Sequence, residues 1–293
     1  MTVQRHNLQW KRKLESISFE LLAILVTLVF LVPIVWMVSS SFKMPKDILS
    51  LPPKVLFEPT IDNYRAVFTG EANIAGATFP AVKNFPKSIL NSLVISLSAT
   101  FVALLIGTPS AYTISKFTFR GKNTIAGYIL GARMAPPMAI LIPYYMMFSL
   151  LRLTDTHISL IIVYSVLNLP FVVWMMRGYF KEIHHELEDA ARIDGCDRLG
   201  TFFRVSLPLT APGLVATSIF CLILSWNEFL FALVLSGNVT KTAPVALYNF
   251  ISFHEVIWGA LFAAGSLVTL PVLIFALLVQ RNLVRGLTLG AVK

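Results

Sequence analysis

Two ionisable side chains, Arg133 and Glu228, lie inside long apolar runs of the sequence. Arg133 is followed by Pro136, Pro137 and Pro143. A charged side chain at membrane depth should face protein or a wet cavity, and prolines leave backbone carbonyls in need of partners. Two interpretations of Arg133 stay open: a structural arginine bonded to those carbonyls or to Glu228, or an arginine that binds an acidic ligand.

Aromatic and amide side chains in the same apolar runs have the chemistry of a sugar-binding surface. Sugars need planar faces to stack on, and amides or carboxylates that bond their hydroxyl groups. For the aromatic residues, ordinary packing or an interfacial belt is the alternative. The candidates for a substrate pathway are Arg133, Tyr144, Tyr145, Asn168, Trp226, Asn227 and Glu228.

The sequence gives no support to catalytic, metal or nucleotide chemistry. Cys196 and Cys221 lie far apart, form no metal pattern and predict reduced thiols. Gly121-Lys122 lacks both the preceding glycine and the following hydroxyl of a phosphate-binding loop. We therefore predict no catalytic residue, no metal site and no cofactor in this chain.

The elements that position these residues are predicted to be transmembrane helices. Of 293 residues, 56% are hydrophobic and 13% charged, and the mean hydropathy is +0.73, whereas soluble domains are about a quarter charged. A helix of about 20 apolar residues crosses the hydrocarbon core. We predict an all-α integral membrane protein with six transmembrane helices, at about 19–42, 88–115, 124–151, 157–179, 213–235 and 258–280.

The distribution of Lys and Arg predicts the orientation of these helices. Fifteen of these residues share a side with the chain termini and eight lie opposite, six of them in one long loop. The positive-inside rule then makes both termini cytoplasmic and explains the net charge of +9 without a nucleic-acid partner. The predicted domains are an N-terminal cytoplasmic segment (1–18), a transmembrane domain (19–281) with an external loop (43–87) and a cytoplasmic loop (180–212), and a cytoplasmic tail (282–293).

The cytoplasmic loop has the pattern of two short helices. Glu186–Ile193 contains good helix formers with acidic residues in the early turns, and Gly195 is placed to end that helix in the left-handed conformation. Asp197 is placed to cap a second helix. Phe202 and Phe203 are expected to be exposed, which indicates a partner surface. The alternative is a loop packed against the protein's own base.

This loop resembles the cytoplasmic loop of ATP-binding-cassette importer permeases. That family shows Glu-Ala-Ala, three residues, Gly, nine residues, Ile, one residue and Leu-Pro. This chain has Asp189-Ala190-Ala191, Gly195, Val205 and Leu207-Pro208 at the same gaps, with Asp in place of Glu and Val in place of Ile. The residues that the resemblance assigns to coupling with an ATPase are Glu188, Asp189, Ala190, Ala191, Gly195, Phe202, Phe203, Leu207 and Pro208.

Three further segments, Val35–Lys43, Ser225–Phe229 and Trp258–Lys293, resemble maltose-type sugar permeases, so the resemblance covers nearly the whole chain. It implies a permease subunit in the bacterial inner membrane that moves a di- or oligosaccharide into the cytoplasm. The sugar would be acidic, such as a uronate oligomer, if Arg133 lies on the pathway. The implied partners are a second, different permease, two ATPase subunits that bind ATP and Mg, an extracytoplasmic solute-binding protein and membrane lipid.

Three alternative functions fit the sequence less well. An importer of a polyol or a glycerol phosphate is the alternative within the family. An ion-coupled secondary transporter usually contains inverted repeats, which the sequence does not display, and it leaves the loop pattern unexplained. A membrane-embedded enzyme would need clustered His, Asp or Glu residues in the spans, whereas Arg133 and Glu228 each stand alone.

Overall fold

The structure, a computed structural model, describes residues 2–70, 84–251 and 256–290, with side chains described for 17–70, 84–251 and 256–278. In these ranges the regular secondary structure is helical apart from an isolated β-bridge between Ile251 and Val256, which confirms the predicted all-α class. In chain order the helices are α1 (Thr2–Ser40), α2 (Pro45–Ile48), α3 (Asp62–Thr69), α4 (Phe85–Lys116), α5 (Lys122–Ala132), α6 (Pro137–Leu150), α7 (His157–Glu182), α8 (His185–Ile193), α9 (Arg198–Thr201), a π-helical turn (Phe202–Ser206), α10 (Leu207–Leu209), α11 (Ala211–Trp226), α12 (Leu230–Leu235), α13 (Ala243–Leu247), a 3-10 turn (Tyr248–Phe250) and α14 (Trp258–Gly290).

Four of the described helices, α1, α4, α7 and α14, contain segments long and apolar enough to cross a membrane. Two bent pairs raise the number of candidate spans to six. Helices α5 and α6 meet at 89°, and the α9–α10 segment meets α11 at 75°. The spans predicted at 19–42, 88–115, 157–179 and 258–280 correspond to the four single helices, and that at 124–151 corresponds to the α5–α6 pair, whereas the second bent pair overlaps the span predicted at 213–235 only in α11.

The spans predicted at 124–151 and 213–235 are each interrupted in the structure. Between α5 and α6, Pro136 is extended, with ψ of 125°, and Pro137 begins the next helix. The residue before a proline disfavours the α conformation, and proline has no N–H to donate to a preceding turn. The fifth helix, predicted over 213–235, stops at Trp226 and resumes as α12 at Leu230.

The contact between α4 and α7 is the central interface of the bundle. Gly107 of α4 lies so close to α7 that a Cβ at this position would stand 2.6 Å from Cγ1 of Val172. Ala103 and Ala111, also on α4, are fully buried. Small residues let helices approach closely in lipid, where association depends on packing more than on the hydrophobic effect. Helix α11 packs against both of these helices and against α14.

A buried lysine fixes the segment that follows α1. Lys43 is 1% exposed. Its Nζ donates to the main-chain oxygen of Lys54 at 2.8 Å and lies 4.1 Å from the centroid of the Trp36 ring. Asn63 of α3 donates to the main-chain oxygens of Ser41 and Lys43, at 2.9 and 2.8 Å. These bonds hold α3 and the chain after α1 against the end of that helix.

Asp155 joins the turn after α6 to the loop after α12. Its carboxylate accepts hydrogen bonds from the main-chain N–H groups of Gly237, Val239 and Thr240, at 2.8 to 3.2 Å, and from the Thr240 hydroxyl at 2.7 Å. Burial by itself raises the pKa of Asp155, but these hydrogen bonds outweigh it and lower the pKa from 3.8 to about 2. Sequence analysis singled out no residue at this junction.

We expect Asp155→Asn to destabilise the purified protein at pH 7, by at most about 2 kcal/mol, because the amide lacks the charge that the donors stabilise. The folded-state pKa lies below the unfolded value, so this contribution is present above about pH 4 and is lost as the pH falls towards about 2. The measurement is the unfolding midpoint in detergent as a function of pH.

The control for this experiment is Glu58→Gln, which changes an exposed carboxylate. Wild type and Asp155→Asn should converge as the pH falls below about 4, and the control should follow wild type throughout. A gap between wild type and Asp155→Asn that keeps its full size at the acidic end contradicts the prediction.

Candidate transport cavity and coupling segment

The break in the third span opens onto a cavity of about 570 Å³, bounded by the α5–α6 break, α7 and the junction of α11 with α12. This volume is within the range of small-molecule sites. Tyr164 and Ser225 line the cavity, and sequence analysis missed both. Tyr164 lies four residues before Asn168, a spacing that puts both on one face of a helix and could have identified it. The predicted pathway residues that line the cavity are Arg133, Tyr144, Asn168 and Glu228.

Arg133 follows the last residue of α5 and lines the cavity. Among the described residues its guanidinium forms no hydrogen bond or ion pair. Its nearest aromatic contact is Phe171, whose ring centroid lies 5.5 Å from Cζ. The described residues therefore do not show the structural interpretation of Arg133, in which its guanidinium bonds Glu228 or a freed main-chain carbonyl. The five N–H donors of Arg133 are available to a ligand or to another subunit.

The carboxylate of Glu228 accepts hydrogen bonds at the break between α11 and α12. Its Oε1 accepts from the N–H of Phe231 at 2.9 Å, and its Oε2 accepts from the N–H of Ala232 at 3.1 Å. The first N–H groups of a helix have no partner within the helix. The side chain therefore stabilises the start of α12, which accounts for the interruption of the predicted fifth helix.

Asn168 links α7 to α11 in the wall of the cavity. It is 3% exposed, and its Nδ2 donates to Oγ of Ser225 at 2.7 Å and to the main-chain oxygen of Cys221 at 3.5 Å. This bond orients the Ser225 hydroxyl next to the cavity. The predicted contact between Asn168 and a substrate stays a prediction.

The three other pathway candidates do not line the cavity. Trp226 is buried and donates its indole N–H to the main-chain oxygen of Val268 at 3.0 Å. Asn227 donates to the main-chain oxygen of Ile223 at 2.8 Å, and Tyr145 is exposed. Trp226 is therefore a packing residue, Asn227 bonds the end of α11, and Tyr145 lies on the surface. A role for these three residues in a substrate pathway stays a prediction.

The segment 185–210 contains the two short helices that the sequence predicts. Helix α8 ends at Ile193, and Gly195 follows it with a φ of 89°, in the left-handed region. Asp197 caps α9 by accepting a hydrogen bond from the N–H of Gly200 at 2.7 Å. Both the helix end and the cap are confirmed.

Exposure divides the residues assigned to ATPase coupling into two groups. The expectation that Phe202 is exposed is wrong, because its ring packs 4.9 Å from that of Tyr112 and only 5% of the residue is accessible. Phe203 is 60% exposed and Ile193 is 87% exposed, so an apolar surface remains for a partner. The exposed members of the set are Asp189, Ala190, Gly195, Phe203 and Pro208, and the buried or half-buried members are Glu188, Ala191, Phe202 and Leu207.

The comparisons with known proteins all match this chain to membrane components of transporters. A family model described as "Binding-protein-dependent transport system inner membrane component" matches residues 99–289. The chain is 39% identical to the probable ABC transporter permease protein y4oR of Sinorhizobium fredii, over 90% of this chain and 91% of the relative. It is 35% identical to the trehalose transport system permease protein SugB of Mycobacterium tuberculosis, over 92% of this chain and 96% of that one.

One solved structure with a similar fold is a bacterial ABC transporter involved in the import of the acidic polysaccharide alginate. The TM-score is 0.71, the sequence identity is 23%, and the match covers 92% of this chain and 96% of the other. At this identity the likeness shows a shared fold.

We expect Gly195→Ala to destabilise the end of α8 by about 1 kcal/mol, because a left-handed backbone is strained for residues with a Cβ. Gly178→Ala is the matched control, since a Cβ meets no atom within 4 Å at either glycine and Gly178 has an ordinary helical φ. Limited proteolysis of the purified protein, followed at residues 193–198, measures the effect. Equal cleavage rates for the two variants would show that the left-handed residue does not stabilise this helix end.

Proposed function

Because this chain belongs to the family of binding-protein-dependent transport system inner membrane components, we propose that it is the ABC importer permease that carries an oligosaccharide into the cytoplasm. The observation that carries the sugar assignment is the 35% identity, over nearly the full length of both chains, to a trehalose transport permease. The cavity supports it, because Tyr144 supplies a partly exposed aromatic ring and Asn168 and Ser225 supply polar groups at one wall.

The proposed substrate is acidic, because Arg133 brings to the cavity a guanidinium that has no ion-pair partner among the described residues. A guanidinium pairs with a carboxylate through two parallel hydrogen bonds. A uronate oligomer combines such carboxylates with the hydroxyl groups and ring faces that the other cavity residues suit. A phosphate would suit Arg133 as well, so a glycerol phosphate is the competing substrate.

The proposed partners are a second, different permease, two ATPase subunits that bind ATP and Mg, and an extracytoplasmic solute-binding protein. This chain has no phosphate-binding loop of its own, so ATP hydrolysis belongs to the ATPase subunits. In this proposal both termini and the loop 180–212 are cytoplasmic, α8 contacts an ATPase, and closure of the ATPases switches access to the cavity by rocking the helices.

Gentle purification of the tagged chain from native membranes, followed by mass spectrometry, tests the assembly. We expect an ATPase and a second permease to co-purify, and both to be lost when residues 186–208 are scrambled in a chain that still inserts. The control is a scramble of the predicted N-terminal segment 1–18, which should leave both partners bound. A chain that purifies alone and transports without ATP would instead be a secondary transporter.

Arg133→Gln tests the acidic substrate. We expect uptake of an acidic oligosaccharide to fall by at least about tenfold and uptake of a neutral one by less than about threefold, because only the former loses a charge-assisted pair. Arg120→Gln, at an exposed arginine outside the cavity, is the control and should leave both unchanged. Equal losses for both sugars contradict the assignment, and loss of glycerol phosphate uptake alone would identify the phosphate ester as substrate.

A further inference from the structure

Lys116 and Glu188 form a buried ion pair at the base of the bundle. Nζ of Lys116, the last residue of α4, lies 3.4 Å from Oε2 of Glu188 in α8. Their side chains are 4% and 1% exposed, and no other ion pair among the described residues has both partners this buried. A buried pair of this kind needs further hydrogen bonds to offset the loss of water.

Those further bonds bring two more elements to the pair. Nζ of Lys116 donates to the main-chain oxygen of Ile183, at the end of α7, at 2.7 Å. The hydroxyl of Ser206, in the π-helical turn, donates to Oε1 of Glu188 at 2.7 Å. The pair therefore ties together α4, the end of α7, α8 and the π-helical turn.

An aromatic layer lies beside the pair. The Tyr112 ring of α4 lies 5.3 Å from that of Phe180 in α7 and 4.9 Å from that of Phe202 in the π-helical turn. This layer joins α4 to α7 and to the turn after α9, but it includes no residue of α8. The ring contacts therefore do not extend to α8, and the link from this layer to α8 runs through Glu188, which lies beside the Tyr112 hydroxyl.

Helix α8 also packs against α9 and the π-helical turn, but few of its side chains are buried. Its buried residues are Glu188 and Ala191, and alanine offers a small contact area. The adjacent acidic residue, Asp189, points away from the bundle: its side chain is 62% exposed and pairs with Arg192 on the same helix at 3.3 Å. The two neighbouring carboxylates thus face opposite ways, one towards solvent and one into this protein.

We propose that Lys116 is a positioning residue for energy coupling, which holds α8 on α4 through Glu188 so that displacement of α8 moves α4 and α7. This inference rests on the proposed function, in which an ATPase displaces α8. Separating the pair would leave two buried charges without their ionic partner, each keeping only its neutral hydrogen bonds, so the link resists stretching. Without this ion pair, the connecting residues 183–184 and 194–197 would change conformation when α8 moves, and α4 and α7 would stay in place.

The experiment uses the complete importer with its ATPases and binding protein in proteoliposomes. We compare Lys116→Met, Glu188→Gln and the double variant, and measure bound ATPase, ATP hydrolysis and sugar transported per ATP. We expect each single variant to retain the ATPase and to lower transport per ATP by at least about fivefold. The double variant should be no worse than either single variant, because the two side chains act as one unit.

Lys122→Met is the matched control. Lys122 lies at the same end of the bundle and its Nζ donates to the main-chain oxygen of Ser115 at 3.3 Å, but no carboxylate among the described residues pairs with it. It should keep wild-type transport per ATP. Lys116→Arg retains the charge and should keep more of the coupling than Lys116→Met, which gives a comparison if the methionine variant assembles poorly.

Three results overturn the inference: unchanged transport per ATP in Lys116→Met, losses that add in the double variant, or a Lys116→Arg variant as impaired as Lys116→Met. Each of these leaves the importer function intact. A wild-type complex whose transport does not depend on ATP would overturn the proposed function and this inference together, and the wild-type sample alone distinguishes that case.

Discussion

The close approach of α4 and α7 is the constraint on which the rest of the structure depends. Because Gly107 has no side chain, Val172 can lie against the backbone of α4, and the two helices form one body. Helix α11 packs against α4 and α7, and the cavity lies beside α7. The Lys116–Glu188 pair lies at the C-terminal end of α4. In lipid, such an interface depends on close packing more than on exclusion of water.

The cavity exists because two helices that could have been continuous are broken. Prolines break the third span, and the Glu228 carboxylate accepts the first N–H groups of α12 at the other break. Irregular backbone at membrane depth is tolerated where it lines a cavity or is buried in protein. The same breaks therefore supply both the space and the polar groups next to it.

Sequence predicted the features that local chemistry determines. The apolar runs, the left-handed Gly195 and the cap at Asp197 follow from composition and from short-range rules, and the structure contains all three. It could not predict which of two adjacent acids faces inward, because the inward partners of Glu188 are Lys116, more than 70 residues away, and Ser206 in a different helical turn. Asp155 was missed for the same reason, since its donors are 82 or more residues distant.

The sparse attachment of α8 has an evolutionary consequence. Only Glu188 and Ala191 of this helix are buried, so its other side chains can change without disturbing the packing of the membrane helices. In the proposed importer, in which α8 contacts an ATPase, the surface of α8 could change to suit a different ATPase while the residues of the cavity diverge independently. The buried acid would then set the angle of the helix, and the exposed residues would set which ATPase it accepts.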